Sequence, residues 1–163
     1  MRQLRRVFAL LIAALPFASG AGLSASAEPG LESAVLVAVF RQQIQEHLDA
    51  TERARGTVVC LAIDPGGARQ SPNREFMARF KDEPSVRRAA ECDARPKGAV
   101  EVMTGRPAII VAAGPTEWIA ADEAWVTVSY FRSARSSALR RYRVVRERER
   151  WVSLGPILLD GPV

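Results

Sequence analysis

Eight arginines between Arg132 and Arg150 form the most conspicuous set of side chains that could bind a ligand. Against two glutamates in the same stretch they give a local net charge of +6. A guanidinium presents a planar fork of donors that suits phosphate, sulfate or carboxylate groups. On a β-hairpin alternate residues point the same way. We therefore predict an anion-binding surface, and the alternative is a solvated sheet face whose charges protect an edge. The candidate residues are Arg140, Arg141, Arg143 and Arg146.

Signals for catalysis are weak in comparison. His47 is the single histidine, so any general-base hypothesis begins with it, but it borders an apolar stripe that favours a packing role. Adjacent acids such as Asp122 and Glu123 are typical of solvated turns. The sequence contains no Gly-x-Ser-x-Gly string, phosphate loop or dinucleotide fingerprint. We predict no catalytic, metal-binding or cofactor-binding residue and no cofactor.

The N-terminus has the pattern of an export signal. Three arginines occupy the first six residues, an apolar run covers Val7 to Ala18, and small residues stand at Ala25 and Ala27. A membrane anchor is the alternative, but the run is shorter than the ~20 residues that a span requires. The pattern predicts a signal peptide over 1–27, a periplasmic or secreted protein, and no transmembrane segment in the mature chain.

Composition predicts one domain with a weak overall electrostatic field. The chain has 23 basic and 18 acidic residues, and removal of the three signal-peptide arginines leaves 20 against 18, a net charge of +2. This balance does not favour a nucleic-acid partner. The remaining residues suffice for one hydrophobic core. We predict a single α+β domain over 28–163.

Cys60 and Cys92 are the two cysteines, 32 residues apart. An oxidising compartment favours a disulfide between them. The alternative is a metal-binding or redox thiol, but additional ligands and the Cys-x-x-Cys spacing are both missing from the sequence. We predict a structural disulfide.

Periodicity and turn residues divide the mature chain into elements. An apolar stripe predicts a helix over Leu31 to Ala54, which Gly56 ends. The alternative for the apolar run from Ala34 to Phe40 is a buried strand. A strand follows at Thr57 to Ile63, and Ser71 with Pro72 predicts the start of a short helix that reaches Phe80. The remaining predicted strands are Val86 to Cys92, Ala99 to Met103, Ala108 to Ala113, Glu123 to Phe131, Leu139 to Glu147 and Trp151 to Leu158.

Two further patterns orient the predicted strands. Gly105-Arg106-Pro107 and Gly114-Pro115 are predicted as turns. Alternation predicts that Arg141 and Arg143 face water, opposite an inward set. The inward set comprises Ala124, Val126, Val128, Tyr130, Tyr142 and Val144.

These elements predict an α+β fold. A long N-terminal helix packs on a curved, mainly antiparallel sheet of about four to six strands, with one short second helix. Cystatin-like folds and folds like that of nuclear transport factor 2 share this outline. The region from Thr57 to Leu158 also resembles small exported bacterial proteins of unassigned function, and this resemblance implies no activity. The segments that carry it include Glu91-Cys92, Thr104 to Ala108, Glu117-Trp118, Tyr142 to Arg146 and Trp151-Val152.

The sequence favours an exported, non-enzymatic binding or envelope-associated domain. Its partner is a protein, an envelope component, a small ligand or an anionic surface, and it does not bind nucleic acid. One alternative is an enzyme with a site in a pocket between the helix and the sheet. Another is a structural or assembly module joined through an edge strand.

We expect the exported protein to begin at Glu28, because Ala25 and Ala27 provide the small residues that signal peptidase requires. Intact mass spectrometry of the secreted material tests this. Recovery of the complete chain from the membrane fraction would contradict it.

Overall fold

The computed structural model describes residues 29–64 and 68–157, so the predicted signal peptide lies outside the described residues. The described chain is an α+β fold with a six-stranded sheet and a separate two-stranded sheet. Within it, no helix is long and apolar enough to cross a membrane. The helices are α1 (Pro29–His47), α2 (Ala50–Ala54) and α3 (Arg74–Met77), and the strands are β1 (Val58–Ile63), β2 (Val86–Arg88), β3 (Cys92–Arg95), β4 (Gly98–Glu101), β5 (Ala108–Ala120), β6 (Glu123–Ser133), β7 (Ser136–Glu147) and β8 (Arg150–Ile157).

The predicted helix from Leu31 to Ala54 is two helices. Its break lies at Asp49, whose carboxylate accepts a hydrogen bond of 2.8 Å from the backbone N–H of Glu52 and so starts α2. Gly56 follows α2 at a φ of 72°, which confirms it as the end of the helical region. The prediction of only one further helix was wrong because the apolar stripe runs across the break, where Leu48 is still buried.

The short helix begins later than predicted. Asn73 caps α3 by accepting a hydrogen bond of 2.8 Å from the N–H of Phe76. The hydroxyl of Ser71, predicted as the cap, instead accepts from the N–H of Ala90 at 2.7 Å. A 3₁₀ turn at Ala78–Phe80 completes the helical segment.

The large sheet is mixed, with the strand order β2-β1-β5-β6-β7-β8. β1 is parallel to both β2 and β5, whereas β5, β6, β7 and β8 form an antiparallel meander. Parallel neighbours require a crossover, and the chain between β1 and β5 provides one that includes α3 and the β3–β4 hairpin. The prediction of a mainly antiparallel sheet therefore holds for the meander and is incomplete for the other half.

Two predicted boundaries fall inside other elements. Gly114 and Pro115, predicted as a turn, lie within β5, and the β5–β6 register shifts between Ala113 and Thr116. Pro115 fits at this irregularity, because proline lacks the backbone N–H that a regular strand ladder would use. The predicted strand from Val86 to Cys92 is the three-residue β2 followed by a 3₁₀ turn.

Buried residues of α1 and of the sheet share one apolar cluster. Phe40 of α1 contacts Phe76 and Phe80 edge to face, with ring centroids 5.9 Å and 6.4 Å apart. The inward positions predicted for β6 and β7 are confirmed by burial, except that Tyr130 is half-buried. The fully enclosed members are Ala124, Val126, Val128, Tyr142 and Val144.

A second, smaller cluster lies on the opposite face of the sheet. It contains Val58 and Cys60 of β1, Ala108 and Ile110 of β5, and Ala99 of the β3–β4 hairpin. The predicted disulfide between Cys60 and Cys92 is present, with Cα atoms 6.4 Å apart. The hairpin therefore covers this end of the face and is covalently joined to it.

Replacement of both cysteines by alanine should lower the free energy of unfolding by roughly 3 to 4 kcal/mol, because the cross-link closes a loop of about 32 residues. Denaturant titration of the double variant and the oxidised wild type measures the difference. Equal midpoints with equal slopes would contradict a stabilising bond.

Candidate functional site

The four predicted anion-binding arginines all lie on β7, but they do not form one group. Arg141 and Arg143 alternate with the buried Tyr142 and Val144 and so point away from α1. Arg140 and Arg146 belong to the opposite set of the alternation. The structure therefore brings two of the four together on one surface.

Three of these arginines already hold a carboxylate. Arg143 donates two hydrogen bonds of 2.9 Å and 3.0 Å to Glu123. This pairing is the largest cause of the lowered pKa of the Glu123 carboxyl. Arg141 pairs with Glu117, and Arg146 lies 2.9 Å from Glu149.

The positive electrostatic field at β7 is therefore much weaker than the local net charge of +6 in the sequence indicates. Glu117 and Glu123 come from outside the arginine-rich stretch. Arg140 has no carboxylate partner among the residues described. Anion binding by Arg140, Arg141, Arg143 and Arg146 stays a prediction.

Most of the outward surface of the β5–β8 meander is uncovered by the residues that the structure describes, and we name this uncovered part the open face. It lies beyond the part that the β3–β4 hairpin covers. Its members used below are Ala112, Gly114, Glu117, Glu123, Trp125, Thr127, Ser129, Leu139, Arg141, Arg143, Val152 and Leu154.

Trp125 lies at the centre of the open face. Its direct cross-strand neighbours are Glu117 on β5 and Arg143 on β7. The guanidinium of Arg141 lies over its ring, 4.7 Å from the centroid, and reaches across β6 to Glu117. Stacking and ion pairing together hold the Arg141 side chain in one orientation.

Large aliphatic side chains border this charged centre. Leu139 is 70% exposed, Leu154 is 52% exposed and Val152 is 37% exposed. Leu139 and Leu154 flank the ion pairs from different strands. A sheet surface that faced only water would be expected to present polar residues at these positions.

A shallow depression of about 200 Å³ lies beside Leu139. Ala112, Gly114 and Ser129 contribute to its lining, and their small side chains account for its depth. A Cβ atom on residue 114 would lie 3.2 Å from the carbonyl oxygen of Thr127, so glycine permits the close approach of β5 and β6 here. The volume is below the ~300 Å³ at which small-molecule sites begin and suits a side chain better.

Glu101 forms a separate, buried polar cluster at the base of the β3–β4 hairpin. Arg87 donates to one carboxylate oxygen at 2.7 Å, and Arg106 donates to the other at 2.8 Å. The Thr104 hydroxyl also donates to Glu101, and this hydrogen bond is the largest cause of a pKa of about 2 for the carboxyl. Both oxygens are engaged, so the cluster joins β2 to the hairpin and is not arranged for proton transfer.

His47 has the surroundings of a packing residue. Its ring lies against Tyr130 with centroids 4.4 Å apart, and burial lowers its pKa below the ordinary histidine value. Its Nε2 atom is enclosed and meets no hydrogen-bond partner in the part of the chain that the structure describes. Over the same residues, no group of three or more His, Cys, Asp or Glu side chains is placed to hold a metal ion.

Sequence reasoning missed Trp125, Leu139 and Glu117 as members of one surface. Alternation in β6 places Trp125 outward, which was a usable signal for an outward aromatic residue on a mostly polar strand face. Glu117 lies in a segment that follows a predicted turn, so its position on β5 was hidden.

Comparisons of the chain with protein-family models, curated proteins and solved structures found no match. The cystatin-like and nuclear transport factor 2-like outline therefore stays a prediction.

Replacement of Glu101 by Gln should lower the free energy of unfolding at pH 7 by roughly 1 to 3 kcal/mol, because Arg87 and Arg106 lose their charged acceptor. The folded pKa of about 2 is below the unfolded value of ~4.3, so the carboxylate stabilises the fold above that pH. This contribution is lost as the pH falls from ~4.3 to about 2.

Denaturant titrations at several pH values should show the two proteins converging as the pH falls through this window. Asp93→Asn, which removes an exposed pair with Arg95 in the same hairpin, is the matched control and should change stability by less than ~1 kcal/mol. A difference between wild type and Glu101→Gln that does not vary with pH would contradict the assignment.

Proposed function

We propose that this chain is an exported, non-enzymatic binding domain whose open face binds another protein. The observation that carries the proposal is the exposure of Leu139, Leu154 and Val152 around the Trp125–Arg141 stack. Exposed apolar groups next to charged ones mark interaction surfaces. Tryptophan and arginine are also the residues most enriched among binding hot spots.

The charge arrangement favours a protein over an anionic polymer or membrane. Glu117 and Glu123 balance Arg141 and Arg143 on the open face, so the four side chains sum to zero. A partner that carries both signs can complement such a surface. Paired charges of this kind contribute specificity and register more than attraction at long range.

The open face is also well ordered before it binds. Its strands are paired along most of their length, and Arg141 is held by both Trp125 and Glu117. Ordering of side chains on association costs about 0.5 to 1.5 kcal/mol for each flexible group, so a surface that is already ordered binds more strongly.

Further support comes from the other side of the sheet and from the disulfide. The enzyme alternative requires a pocket between α1 and the sheet, whereas Phe40, Ile44 and Tyr142 fill the middle of that space and are at most 1% exposed. A cavity of about 470 Å³ is confined to the N-terminal end of α1, beside Ile63 and Phe76. The Cys60–Cys92 bond suits an oxidising compartment, which agrees with the proposed periplasmic or secreted location.

A photo-crosslinking amino acid at position 139 of the exported protein tests the proposal. We expect a discrete protein adduct from position 139 and none from position 103, because Met103 is equally apolar and more exposed but lies outside the open face. Leu154→Arg should reduce the adduct at least about tenfold by placing an unpaired charge in the contact. Equal yields at positions 139 and 103, or no adduct at 139, would overturn the proposal.

Vesicles of anionic lipid and immobilised heparin, each at low and high salt, provide the opposing assay. Retention that weakens with salt and disappears in the Arg141→Ser, Arg143→Ser double variant would assign this surface to anions and against a protein partner. Absence of retention is the expected result.

A further inference from the structure

We propose that the cavity at the N-terminal end of α1 binds a small zwitterion that carries an apolar side chain, which is the chemistry of a free apolar amino acid. The site goes beyond the proposed function, because it lies between α1 and α3 and shares no lining residue with the open face. Three features support it: the shape of the cavity, its place in the sheet topology, and three charged side chains without partners in the described part of the chain.

The cavity has an apolar floor and a volume that suits a small molecule. Its volume of about 470 Å³ exceeds the ~300 Å³ at which small-molecule sites begin. Leu36 of α1, Ile63 of β1 and Phe76 of α3 line it. Leu36 and Phe76 belong to the main apolar cluster, so a ligand placed here would cover the edge of the core. The floor therefore favours an apolar group over water.

The cavity adjoins the carboxyl end of β1, where the chain connections change direction. β1 lies between two parallel neighbours, β2 and β5. From its carboxyl end the chain passes through α3 to β2, whereas β5 continues to β6 on the opposite side. In open sheets with parallel strands, such a point leaves a crevice in which ligands bind. Ile63, the last residue of β1, lines the cavity at this place.

Three charged side chains also line the cavity. Glu32 belongs to the first turn of α1, Glu75 to α3 and Arg79 to the 3₁₀ turn that follows α3. Glu75 and Arg79 are four residues apart, a spacing at which acid–base pairs form readily on helices. Nevertheless, the side chains of Glu32, Glu75 and Arg79 form no ion pair or hydrogen bond with any residue that the structure describes. Two carboxylates and one forked donor therefore remain free to bind a ligand.

These charges select a ligand that carries both signs. An ammonium group can bind the carboxylates of Glu32 and Glu75, which come from the two walls of the cavity. A carboxylate can accept two parallel hydrogen bonds from the Arg79 guanidinium. The side chain of the ligand then contacts the apolar floor. A free amino acid with an apolar side chain combines these three features in one molecule.

Both walls of the cavity are held in place before a ligand binds. Arg41 of α1 donates hydrogen bonds of 2.9 Å and 3.0 Å to the Asp82 carboxylate and one of 2.7 Å to the backbone carbonyl of Arg79. Phe40 of α1 also packs edge to face against Phe76 of α3. Because these contacts set the separation of α1 and α3, binding requires little ordering of the backbone.

Titration of the isotope-labelled exported protein with L-leucine, followed by nuclear magnetic resonance, tests the site. The three charged side chains are largely exposed, so we expect a dissociation constant on the order of 1 mM. Leucinamide lacks the carboxylate, isocaproate lacks the ammonium group, and glycine lacks the apolar side chain. Each should bind at least about tenfold more weakly than leucine. Equally tight binding of any of the three would overturn the proposal. So would the absence of binding by both leucine and phenylalanine at about 10 mM.

The positions of the shifted signals distinguish this cavity from the open face. Leucine should shift the backbone amide signals of 30–36 and 73–79 and leave those of β6 and β7 unchanged. Shifts centred on β6 and β7 would place the ligand on the open face and overturn this site. The protein adduct expected from position 139 does not depend on leucine, so the two proposals can fail separately.

Reversal of one charge should change the choice of ligand. Arg79→Glu replaces the donor to the ligand carboxylate with a third acceptor, so this variant should bind leucinamide at least about tenfold more tightly than leucine. Arg74→Glu is the matched control, because Arg74 is exposed on α3 and is not among the residues that line the cavity. It should keep the wild-type preference, and circular dichroism verifies that both variants fold. An unchanged preference in Arg79→Glu, or the same reversal in Arg74→Glu, would overturn the proposal.

Discussion

The pairing of β5 with strands on both of its sides is the constraint on which the rest of the fold depends. Its first six residues are buried and pair with the parallel β1, and the last four of these six also pair with the antiparallel β6. Beyond the register shift at Gly114 and Pro115, burial alternates. The first half therefore needs cover on two sides, whereas the second half needs cover on one. This difference creates the β3–β4 hairpin over one end of the sheet and the open face beyond it.

Two different chemical links hold that hairpin against the sheet at the same place. Cys60 is opposite Arg87 in the β1–β2 pair, and Cys92 is opposite Glu101 in the hairpin. The disulfide joins one member of each pair, and the Arg87–Glu101 ion pair joins the other two. A covalent bond limits the unfolded ensemble, whereas a buried ion pair fixes orientation and fails at low pH. The boundary of the open face is thus defined by links that respond to different conditions.

Electrostatic arrangement, not charge content, determines what the meander can bind. Eight arginines in one stretch suggested a strong positive surface, but carboxylates from neighbouring strands neutralise the two that share the open face. Arg141 extends over Trp125 to reach Glu117. Its charge is paired there, and its side chain and the Trp125 ring together form a partly apolar surface. A neutral surface of alternating sign favours partners whose charges match it in register.

The sequence by itself determined the features that depend on local periodicity and composition. Alternation in β6 and β7 identified which side chains are buried, Gly56 marked the end of the helical region, and the cysteines indicated a disulfide. Tertiary structure alone decided that β1 lies parallel to β5, that Gly114 and Pro115 continue a strand, and that Arg141 meets Glu117. These outcomes depend on contacts between distant residues, whose cost of loop closure and gain in burial leave no pattern in the local sequence. A turn dipeptide becomes part of a strand only when a neighbouring strand supplies the hydrogen bonds around it.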